Sequence, residues 1–527
     1  MDFLSNILLT KSKESPDKEI FIFEYGELGE ERITYNTLYK NTLRTANELK
    51  RVNIGTADSF AIIMKNYPEF IYLLGAASLI GATAVPIDPR SKGERLKYML
   101  GISDSKVVFL TEDLLENLIN IKPELPNLKH IYILKKPGIQ SNRHTGFPYL
   151  NDVIENGNTS EFEPVITDNH HPLEIIFTSG TTGEPKGVVV RQDRFATYAL
   201  LAQMVWAYTE NDILYTGLSF THGNAQAVTM LPAIALGVKA VISPQFTKSR
   251  IWDICRKYGI TTFSLLGGMM SGIYNEPPKQ DDSDNPVKIV LSAGTPRAIW
   301  EAFEKRFNVL IHEWYGAVEG SFAHKAVGEG PIGSLGKPLP DIMEMKIFDG
   351  NDRVCPPYVI GEIVWRMTGQ DVEVTYFKNK KASEDKTKGG WLRTGDMGHT
   401  DENGYFFFDY RKGGGLRRMG EFIQPDFIEK IIGEHPDVSE VCVYGIPSPL
   451  GAPGESDLVA AIVPFEGRTL NPFDIFKMCR KELTPNSIPS YIQIVSEIPK
   501  TISEKPLDMV LSKNFNPSAN NVYKTSY

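Results

Sequence analysis

The segment IIFTSGTTGEPKGVVV, residues 175–190, decides the class of fold and gives the first candidate site. An apolar strand is expected to run into a loop that is rich in glycine and hydroxyl side chains. Glycines let the main chain approach a ligand closely, and hydroxyls with backbone N–H groups can surround phosphate oxygens. The spacing GxxxxGK[ST] is absent, which excludes a Walker A loop. Taken alone, the segment predicts a phosphate-binding loop, with a flexible surface turn as the alternative.

Strand-like and helix-like segments alternate around this loop through the first four hundred residues. The strand SKVVFLT (105–111) follows the charged helix KGERLKYMLGISD, and VKIVLSAG (287–294) precedes the helix PRAIWEAFEKRF. Such alternation indicates βαβ units and mostly parallel sheets with helices on both faces. Ligands of these sheets collect at the carboxyl ends of strands, where the predicted phosphate loop also falls.

One uncharged stretch, Phe70–Ile87, has the length of a membrane span. Gly75, Gly81 and Pro86 interrupt it. We therefore expect a buried helix from Pro68 to Ile80, a turn at Gly81 and a buried strand over Thr83–Ile87, and no transmembrane segment.

The secondary-structure pattern of the sequence changes after about residue 335. The segments MEMKIFD, GEIVWRM, VTYFKN and GYFFFDY read as short strands of a β-rich subdomain, and three glycines at 413–415 form a candidate hinge. The fold class is therefore α/β, with a large N-terminal domain of mostly parallel sheets flanked by helices, the β-rich subdomain and a small mobile α+β C-terminal domain. The predicted boundaries are 1–410 for the large domain, 411–415 for the hinge and 416–527 for the small domain.

Bulk composition narrows the classes of function. The 527 residues carry a net charge of −9 and a pI near 5.7, which argues against a general nucleic-acid binder. Four cysteines far apart in sequence show no metal-ligand spacing and are expected to be free thiols in a reducing compartment. The N-terminus lacks the pattern of a secretory signal, so the expected location is the cytoplasm.

Six motifs in order along the chain resemble one family. The loop TSGTTGEPKG, residues 178–187, looks like the signature of the adenylate-forming superfamily, which comprises acyl-CoA synthetases, luciferases and the adenylation domains of peptide synthetases. Five further segments resemble its later motifs, namely YGAVE (315–319), GSLGKP (333–338), WLRTGD (391–396), GEFIQP (420–425) and PKT…K (499–505). The overall pattern is similar to crotonobetaine/carnitine–CoA ligases and to medium-chain or aryl acid–CoA ligases.

The resemblance implies a role for each matching residue. Lys505 would be the catalytic lysine of the adenylation step, and Glu319 would bind Mg²⁺. His222 would close over the bound acid, with a packed loop histidine as the alternative. Asp396 would accept hydrogen bonds from the ribose hydroxyls with Arg411 nearby, and Tyr315 would stack on adenine. The remaining nucleotide- and cofactor-binding residues implied in this way are Thr178, Ser179, Gly180, Thr181, Thr182, Lys186, Gly294, Thr295, Gly316 and Gly420.

The implied reaction is an AMP-forming ligation of a small carboxylic acid to CoA, with ATP, Mg²⁺ and CoA as cofactors. The small domain would rotate between the half-reactions about Gly413, presenting the Lys505 loop first and the Gly420 segment second. Thr221 stands where amino-acid adenylation domains usually carry Asp, so an amino-acid substrate is not expected. A stand-alone enzyme that loads a carrier protein and a non-catalytic nucleotide-binding relative stay as alternatives, and a homodimer stays open.

The chain also departs from the family pattern. Val318 replaces the usual Thr, which removes a hydroxyl contact worth on the order of 1 kcal/mol. Gly413 replaces the usual Asp or Lys of the hinge, and Glu504 replaces the Gly before the terminal lysine. Paired glycines at 267–268 suggest room for an acyl or aryl group larger than acetate.

Overall fold

The computed structural model describes residues 3–139, 146–165, 168–178, 185–412, 416–418, 421–423, 425–447, 456–483, 485–501 and 506–525. Over these residues the chain divides into two compact units. The first unit contains residues 1–247, 253–264 and 373–385, and the second contains residues 248–252, 265–372 and 386–527.

The strands, in chain order, are β1 Glu19–Glu24, β2 Glu30–Thr34, β3 Ser59–Ile63, β4 Thr83–Pro86, β5 Ser105–Thr111, β6 His130–Leu134, β7 Pro172–Thr178, β8 Lys186–Arg191, β9 Ile213–Thr216, β10 Lys239–Ile242, β11 Thr262–Leu266, β12 Ile289–Ala293, β13 Leu310–Gly316, β14 Phe322–Lys325, β15 Met343–Phe348, β16 Gly361–Met367, β17 Leu392–Thr400, β18 Phe406–Arg411, β19 Leu416–Arg418, β20 Glu421–Ile423, β21 Val438–Pro447, β22 Ser456–Pro464, β23 Tyr491–Ile494 and β24 Val522–Lys524.

The α-helices are α1 Leu4–Glu14, α2 Tyr35–Arg51, α3 Pro68–Ile80, α4 Gly93–Ile102, α5 Leu115–Ile119, α6 Leu150–Asn156, α7 Asp193–Leu201, α8 Leu231–Leu236, α9 Ile251–Tyr258, α10 Gly267–Tyr274, α11 Trp300–Phe307, α12 Lys380–Lys386, α13 Pro425–Gly433, α14 Pro472–Glu482 and α15 Asp508–Lys513. Two π-helical segments, Ala202–Trp206 and Ala225–Met230, continue from the residues before them, and short 3₁₀ turns connect several elements.

A six-stranded sheet organises the first unit. Its strand order is β6-β5-β3-β4-β7-β8, and every neighbouring pair is parallel except the last, in which β7 and β8 run antiparallel. A second set of strands in this unit pairs in the order β11-β9-β10-β1-β2, parallel up to β1. Apolar residues of β3, β4, β5 and β6 form the core of the six-stranded sheet.

The second unit combines three kinds of sheet. Strands β12 and β13 are parallel and β14 closes against β13 as a hairpin. Strands β15 to β18 form an antiparallel sheet in sequence order, while β21 to β24 form the sheet of the C-terminal part, whose apolar core includes residues of α13 and α14. This mixture confirms the predicted fold class of parallel α/β sheets, a β-rich region and a small C-terminal domain.

The uncharged stretch at 70–87 folds as the sequence predicts. Helix α3 begins with Pro68 in its first turn, where the missing N–H is not needed, and ends at Gly81, whose φ of +76° gives a left-handed C-cap. Every residue of α3 is buried, so its apolar sequence is that of a core helix. Among the described residues, no helix has both the length and the apolarity required to cross a membrane.

One predicted strand of the β-rich region is absent. The segment VTYFKN, residues 374–379, forms only an isolated bridge between Tyr376 and Val188 and belongs to the first unit. Its backbone instead forms two hydrogen bonds with β8, because the Val189 N–H donates to the Thr375 carbonyl and the Phe377 N–H donates to the Gly187 carbonyl. The predicted hinge at Gly413 lies outside the described residues, and the boundaries at 410 and 416 stay predictions.

Candidate active site

The stem of the phosphate loop lies in the first unit. Strand β7 ends at Thr178 and β8 begins at Lys186, and these two residues are paired across the antiparallel strands. The Thr178 hydroxyl donates to the Lys186 carbonyl at 3.3 Å, and the Lys186 ammonium lies 5.6 Å from the centre of the Tyr376 ring. The stem therefore places a hydroxyl and a cation at the two ends of the loop, whereas Ser179, Gly180, Thr181 and Thr182 lie outside the described residues.

His222 lies in a loop that we call the acid loop, residues 218–226, which leads from β9 into the second π-helical segment. Its backbone N–H donates to the Ser219 carbonyl at 2.9 Å, and its Nδ1 accepts from the Asn224 backbone N–H at 3.2 Å. The hydroxyls of Ser219 and Thr221 are 2.9 Å apart and form a hydrogen bond. The acid loop is thus folded on itself around the histidine that the sequence singled out.

Two buried carboxamides hold the acid loop in place, and the sequence did not indicate either. Asn66 is fully buried, donates to the Leu218 carbonyl at 2.8 Å and accepts from the Phe220 backbone N–H at 2.8 Å. From the other side, Gln226 Nε2 donates to the Phe220 carbonyl at 2.8 Å and to Glu174 Oε2 at 3.1 Å. Since Glu174 lies in β7, four residues before Thr178, the acid loop and the phosphate-loop strand are joined by one side chain.

Glu174 is a charged residue type in an otherwise apolar buried strand. Burial raises the pKa of its carboxyl to about 7, against the opposing effect of the hydrogen bond from Gln226. A single Glu within the run PLEIIF is the signal that sequence reasoning could have used, because an acid in a buried strand requires a donor.

In the second unit, the structure brings Tyr315 and Asp396 into direct contact. Tyr315 is near the end of β13 and Asp396 is in β17, and the Tyr315 hydroxyl donates to Asp396 Oδ2 at 2.5 Å. Asp396 is buried, and its backbone N–H donates to the Thr394 hydroxyl at 3.0 Å. Arg411 is the Cα partner of Asp396 across β17 and β18. The residues predicted for adenine and ribose therefore belong to one hydrogen-bonded group.

Glu362 fixes the main chain beside Asp396. Its Oε1 accepts from the Gly395 backbone N–H at 3.1 Å, and its Oε2 accepts from Arg393 at 2.7 Å. Gly395 has a φ of +79°, a left-handed conformation that favours glycine. The sequence motif thus includes the glycine, but the acid that holds the motif comes from the neighbouring strand β16 and was missed.

Glu319 lies in the tight turn between β13, which ends at Gly316, and β14, which begins at Phe322. Gly320 closes this turn by donating to the Ala317 carbonyl at 2.9 Å, and its φ of +135° requires a glycine. The Glu319 carboxylate is buried, and Oε1 is 4.0 Å from the ammonium of Lys386, which also donates to the Thr394 carbonyl at 3.1 Å. Lys386, another residue that the sequence did not indicate, links the turn to the strand of Asp396.

The donor set around Glu319 fits a magnesium ion that is bound together with phosphate. Mg²⁺ prefers oxygen ligands and is usually held by one or two carboxylates while water and substrate phosphates complete its octahedron. The described residues contain no group of three His, Cys, Asp or Glu side chains placed to hold a metal. Within the described residues, the protein ligand of such a magnesium ion would therefore be the single buried carboxylate of Glu319.

Gly294 and Thr295 form a turn after β12 that is held by Glu313 of β13. Glu313 accepts from the Gly294 backbone N–H at 2.7 Å, from the Thr295 backbone N–H at 3.2 Å and from the Thr295 hydroxyl. Burial raises the pKa of the Glu313 carboxyl to about 7, although these hydrogen bonds oppose the shift. Glu313 precedes the Tyr315 motif by two residues, and its role was not predicted.

The glycine at 267 serves this turn as well. A Cβ on Gly267 would lie 1.9 Å from the Gly294 carbonyl oxygen, which is far inside van der Waals contact. Position 267 is therefore a glycine because two segments of main chain approach each other there. This close approach is an alternative to the expectation that the paired glycines leave room for a larger acyl group.

The remaining candidate residues lie in the C-terminal part of the chain. Gly420 and Lys505 lie outside the described residues, as does Glu504. The stem of the lysine loop is described, since Lys500 and Pro506 form a bridge and Leu507 donates to the Pro499 carbonyl at 2.7 Å. Lys500 also makes an ion pair with Glu440 at 2.6 Å. The two ends of the loop are therefore held together.

Comparison with known proteins agrees with this fold and with these motifs. The AMP-binding enzyme family matches residues 8–376, and the AMP-binding enzyme C-terminal domain matches residues 428–505. The crotonobetaine/carnitine–CoA ligase of Salmonella arizonae is 28% identical and the alignment covers 94% of this chain and 96% of the relative. The crotonobetaine/carnitine–CoA ligase of Salmonella typhi is also 28% identical, with the same coverage.

Two solved structures share the fold. The anthranilate CoA ligase AuaEII in complex with anthranoyl-AMP superposes with a TM-score of 0.84 at 22% identity, covering 97% of each chain. A benzoate CoA ligase from Burkholderia xenovorans LB400 also gives a TM-score of 0.84 at 19% identity, over 97% of this chain and all of that one. The class defined by fold and motifs is thus that of the adenylate-forming enzymes. The chain belongs to the AMP-binding enzyme family, which confirms the resemblance read from the six motifs.

Proposed function

We propose that the protein is an ATP-dependent carboxylic acid–CoA ligase that uses Mg²⁺ and releases AMP. The proposal is supported by membership of the AMP-binding enzyme family and by full-length relatives that are named CoA ligases. The observation that carries it is the contact between Tyr315 and Asp396, because two residues assigned to one nucleotide from distant motifs form one hydrogen-bonded group.

In the first half-reaction a carboxylate oxygen of the acid attacks the α-phosphorus of ATP. A new oxygen–phosphorus bond forms, the bond from the α-phosphorus to its bridging oxygen breaks, and pyrophosphate leaves. Because two anions meet, the enzyme must supply compensating charge and donors. In our proposal Lys186 and the hydroxyls of Thr178, Ser179, Thr181 and Thr182 hold the phosphates, with Gly180 allowing close approach of the main chain.

The second unit is proposed to hold the nucleoside and the metal. A carboxylate accepts several hydrogen bonds at once, so Asp396 can accept from ribose hydroxyls as well as from Tyr315. Tyr315, oriented by that bond, would stack its ring on adenine, and Gly294, Thr295 and Gly316 would be further residues of the nucleotide site. Mg²⁺ on Glu319 would offset phosphate charge.

In the second half-reaction the thiol of CoA loses its proton to solvent and its sulfur attacks the acyl carbon. A carbon–sulfur bond forms, the bond from the acyl carbon to the phosphate oxygen breaks, and AMP leaves. We propose that residues 411–415 are the hinge of a C-terminal domain over 416–527, that Lys505 serves adenylation and that the Gly420 segment serves thioester formation. Lys505→Ala is expected to abolish adenylation but to spare thioester formation from supplied acyl-adenylate. Measuring both rates tests this, and adenylation that survives the substitution would exclude Lys505 as the catalytic lysine.

The acid is proposed to bind beside the acid loop, with His222 closing over it. Thr221 offers a hydroxyl and no charge, which disfavours a substrate with an α-ammonium group. The two named kinds of relative, a carnitine-type ligase and aryl acid ligases, indicate small acids of either aliphatic or aromatic type as the panel to examine.

The deciding experiment is incubation with ATP, Mg²⁺, CoA and a panel of carboxylic acids, followed by quantification of AMP, pyrophosphate and acyl-CoA. The ligase proposal predicts AMP and acyl-CoA in equal amounts. AMP and pyrophosphate without thioester would favour the carrier-loading alternative. Binding of ATP with neither product across the panel would favour a non-catalytic nucleotide-binding protein.

A further inference from the structure

Two carboxamides in the acid loop have opposite surroundings. Asn224 and Gln226 are both buried, at 4% and 2% exposure, and they are two residues apart. Gln226 uses both N–H groups of its amide, toward Phe220 and Glu174. The amide nitrogen and the amide oxygen of Asn224 are both buried and have no hydrogen-bond partner among the described residues.

The difference between Asn224 and Gln226 is not explained by a poorly held main chain in the acid loop. Asn66 and Gln226 fix the main chain of Phe220 from both sides, and the Asn224 backbone N–H donates to His222. The hydroxyls of Ser219 and Thr221 satisfy each other. Within residues 218–226, Asn224 is therefore the one polar side chain whose hydrogen-bonding groups are both left without a protein partner. Buried amides are almost always paired, so an unpaired one in a well-held loop indicates a group that a ligand pairs.

The place of Asn224 in the chain connects it with the role that we propose for His222. It follows His222 by two residues and immediately precedes the π-helical segment Ala225–Met230. Such π-helical segments are rare and occur often at functional sites.

We propose that Asn224 is a specificity-determining residue of the acid loop and that it hydrogen-bonds a neutral polar group, such as a hydroxyl or an amide, on the carboxylic acid substrate. This inference rests on the proposed ligase function. An amide can donate and accept at once, which matches a hydroxyl or an amide.

A fully charged substituent is a poorer match for this loop. Burying a charge requires an opposite charge, and Asn224 carries none. Glu174, the buried acid that contacts the loop, already accepts from Gln226, and burial raises its pKa to about 7. The preferred acid therefore has a neutral hydrogen-bonding group in addition to its reacting carboxylate.

The test compares pairs of acids in which a hydroxyl is replaced by a methyl group, for example hydroxybenzoates with the matching methylbenzoates and hydroxyalkanoates with the matching alkanoates. The measured quantity is the ratio of kcat/KM for the hydroxyl acid to that for the methyl acid. Asn224→Leu removes both hydrogen-bonding groups at similar volume and is expected to lower this ratio by about 10- to 100-fold. Its Tm should be equal to or above that of the wild type, because an unpaired buried amide is removed.

Gln226→Leu is the matched control. It removes the same chemical group two residues away, leaves Glu174 and the Phe220 carbonyl without their donor, and is expected to lower Tm without changing the ratio. Asn224→Ser, which introduces one hydroxyl, should give an intermediate ratio and provides a second variant if Asn224→Leu fails to fold.

The outcomes separate the two proposals. A wild-type enzyme that makes acyl-CoA while Asn224→Leu leaves the ratio unchanged, or lowers both kcat/KM values equally, would overturn the role of Asn224 and leave the ligase function intact. Absence of AMP formation with every acid would overturn the ligase function itself, and the role of Asn224 with it.

Discussion

The acid loop of the first unit and the Glu313–Glu319 segment of the second unit differ in how their candidate site residues are hydrogen-bonded. In the second unit the candidate residues are paired by protein groups, since Tyr315 contacts Asp396, Glu319 faces Lys386 and Glu313 accepts from the Gly294–Thr295 turn. In the acid loop the scaffold residues are equally well paired, but the side chain of Asn224 has no hydrogen-bond partner in the part of the chain that the structure describes.

The difference suggests how one protein can act on the same nucleotide in every turnover and still select among carboxylic acids. Groups that act on the same nucleotide in every turnover are best held rigid before substrate arrives, because no reorganisation is then needed during the reaction. A group that selects among acids must instead keep its hydrogen bonds for the correct ligand, since an incorrect ligand then leaves it buried and unpaired. Substitutions in the second unit should therefore affect all acids alike.

The largest effect is expected for Glu319→Gln. The amide keeps the shape of the side chain but loses the charge that would hold Mg²⁺ beside the phosphates, so adenylation should slow about 100-fold or more for every acid. Pyrophosphate release measured over a range of Mg²⁺ concentrations tests this. Glu301→Gln, an exposed residue of α11, is the control and should have wild-type rates. A loss confined to particular acids would contradict the comparison.

A smaller effect is expected when the pair Tyr315–Asp396 is broken. Tyr315→Phe and Asp396→Asn should each reduce kcat/KM for ATP by about 10-fold, because a buried hydrogen bond to a carboxylate is lost. The double variant should lose less than the product of the two, since both substitutions remove the same contact. Strictly multiplicative losses would show that the contact in the structure is not used in nucleotide binding.

The sequence predicted the local structure of this molecule better than its long-range contacts. Helix α3 has the predicted ends, and β5 and β16 match the segments read as strands, because apolar periodicity, proline and glycine act over a few residues. The segment VTYFKN was wrong as a strand because its backbone is engaged by β8 of another part of the chain. Alternation of polar and apolar residues cannot reveal where a strand-like segment finds its partner.

The same distinction holds at the candidate site. The motifs indicated Tyr315, Glu319 and Asp396, but not Glu313 or Lys386, which orient the segments around them. Asn66 and Phe220, which form a hydrogen bond, are 154 residues apart in sequence, so no motif joins them. A buried polar residue type within an apolar run, such as Glu174 in β7, is the one sequence signal that could have pointed to these supporting contacts.

A still smaller effect is expected at Glu313. Glu313→Gln keeps one acceptor oxygen but places an amide group against the N–H and hydroxyl donors of Gly294 and Thr295, so about 1 kcal/mol of support for the turn should be lost. We expect KM for ATP to rise about 5-fold with KM for the acid unchanged. Steady-state kinetics with each substrate varied in turn measures this. If only the KM for the acid changed, the Gly294–Thr295 turn would contribute to acid binding and not to nucleotide binding.

The smallest effect on activity is expected at Glu429, a half-buried acid of α13 whose carboxylate accepts from the Val443 backbone N–H at 2.7 Å. Burial raises the pKa of this carboxyl to about 8, although the hydrogen bond from Val443 opposes the shift. Because the folded-state pKa lies above the usual value of 4.5, the folded protein binds this proton more tightly than the unfolded chain. The stabilisation is complete below pH 4.5 and is lost as pH rises toward 8.

Glu429→Gln keeps an acceptor for Val443 and cannot ionise. Its stability relative to the wild type should therefore increase from pH 5 to pH 9, by an amount on the order of a few kcal/mol in the free energy of unfolding. Differences in Tm between variant and wild type at the two pH values measure this, and they separate the effect of Glu429 from that of the buried acids Glu174 and Glu313. Glu434→Gln, at an exposed neighbouring position, should show no such dependence on pH. If the Tm differences of Glu429→Gln and Glu434→Gln changed in parallel between the two pH values, the Glu429 carboxyl would have an ordinary pKa. Burial alone would then not distinguish structural acids from those that hold a substrate-binding turn.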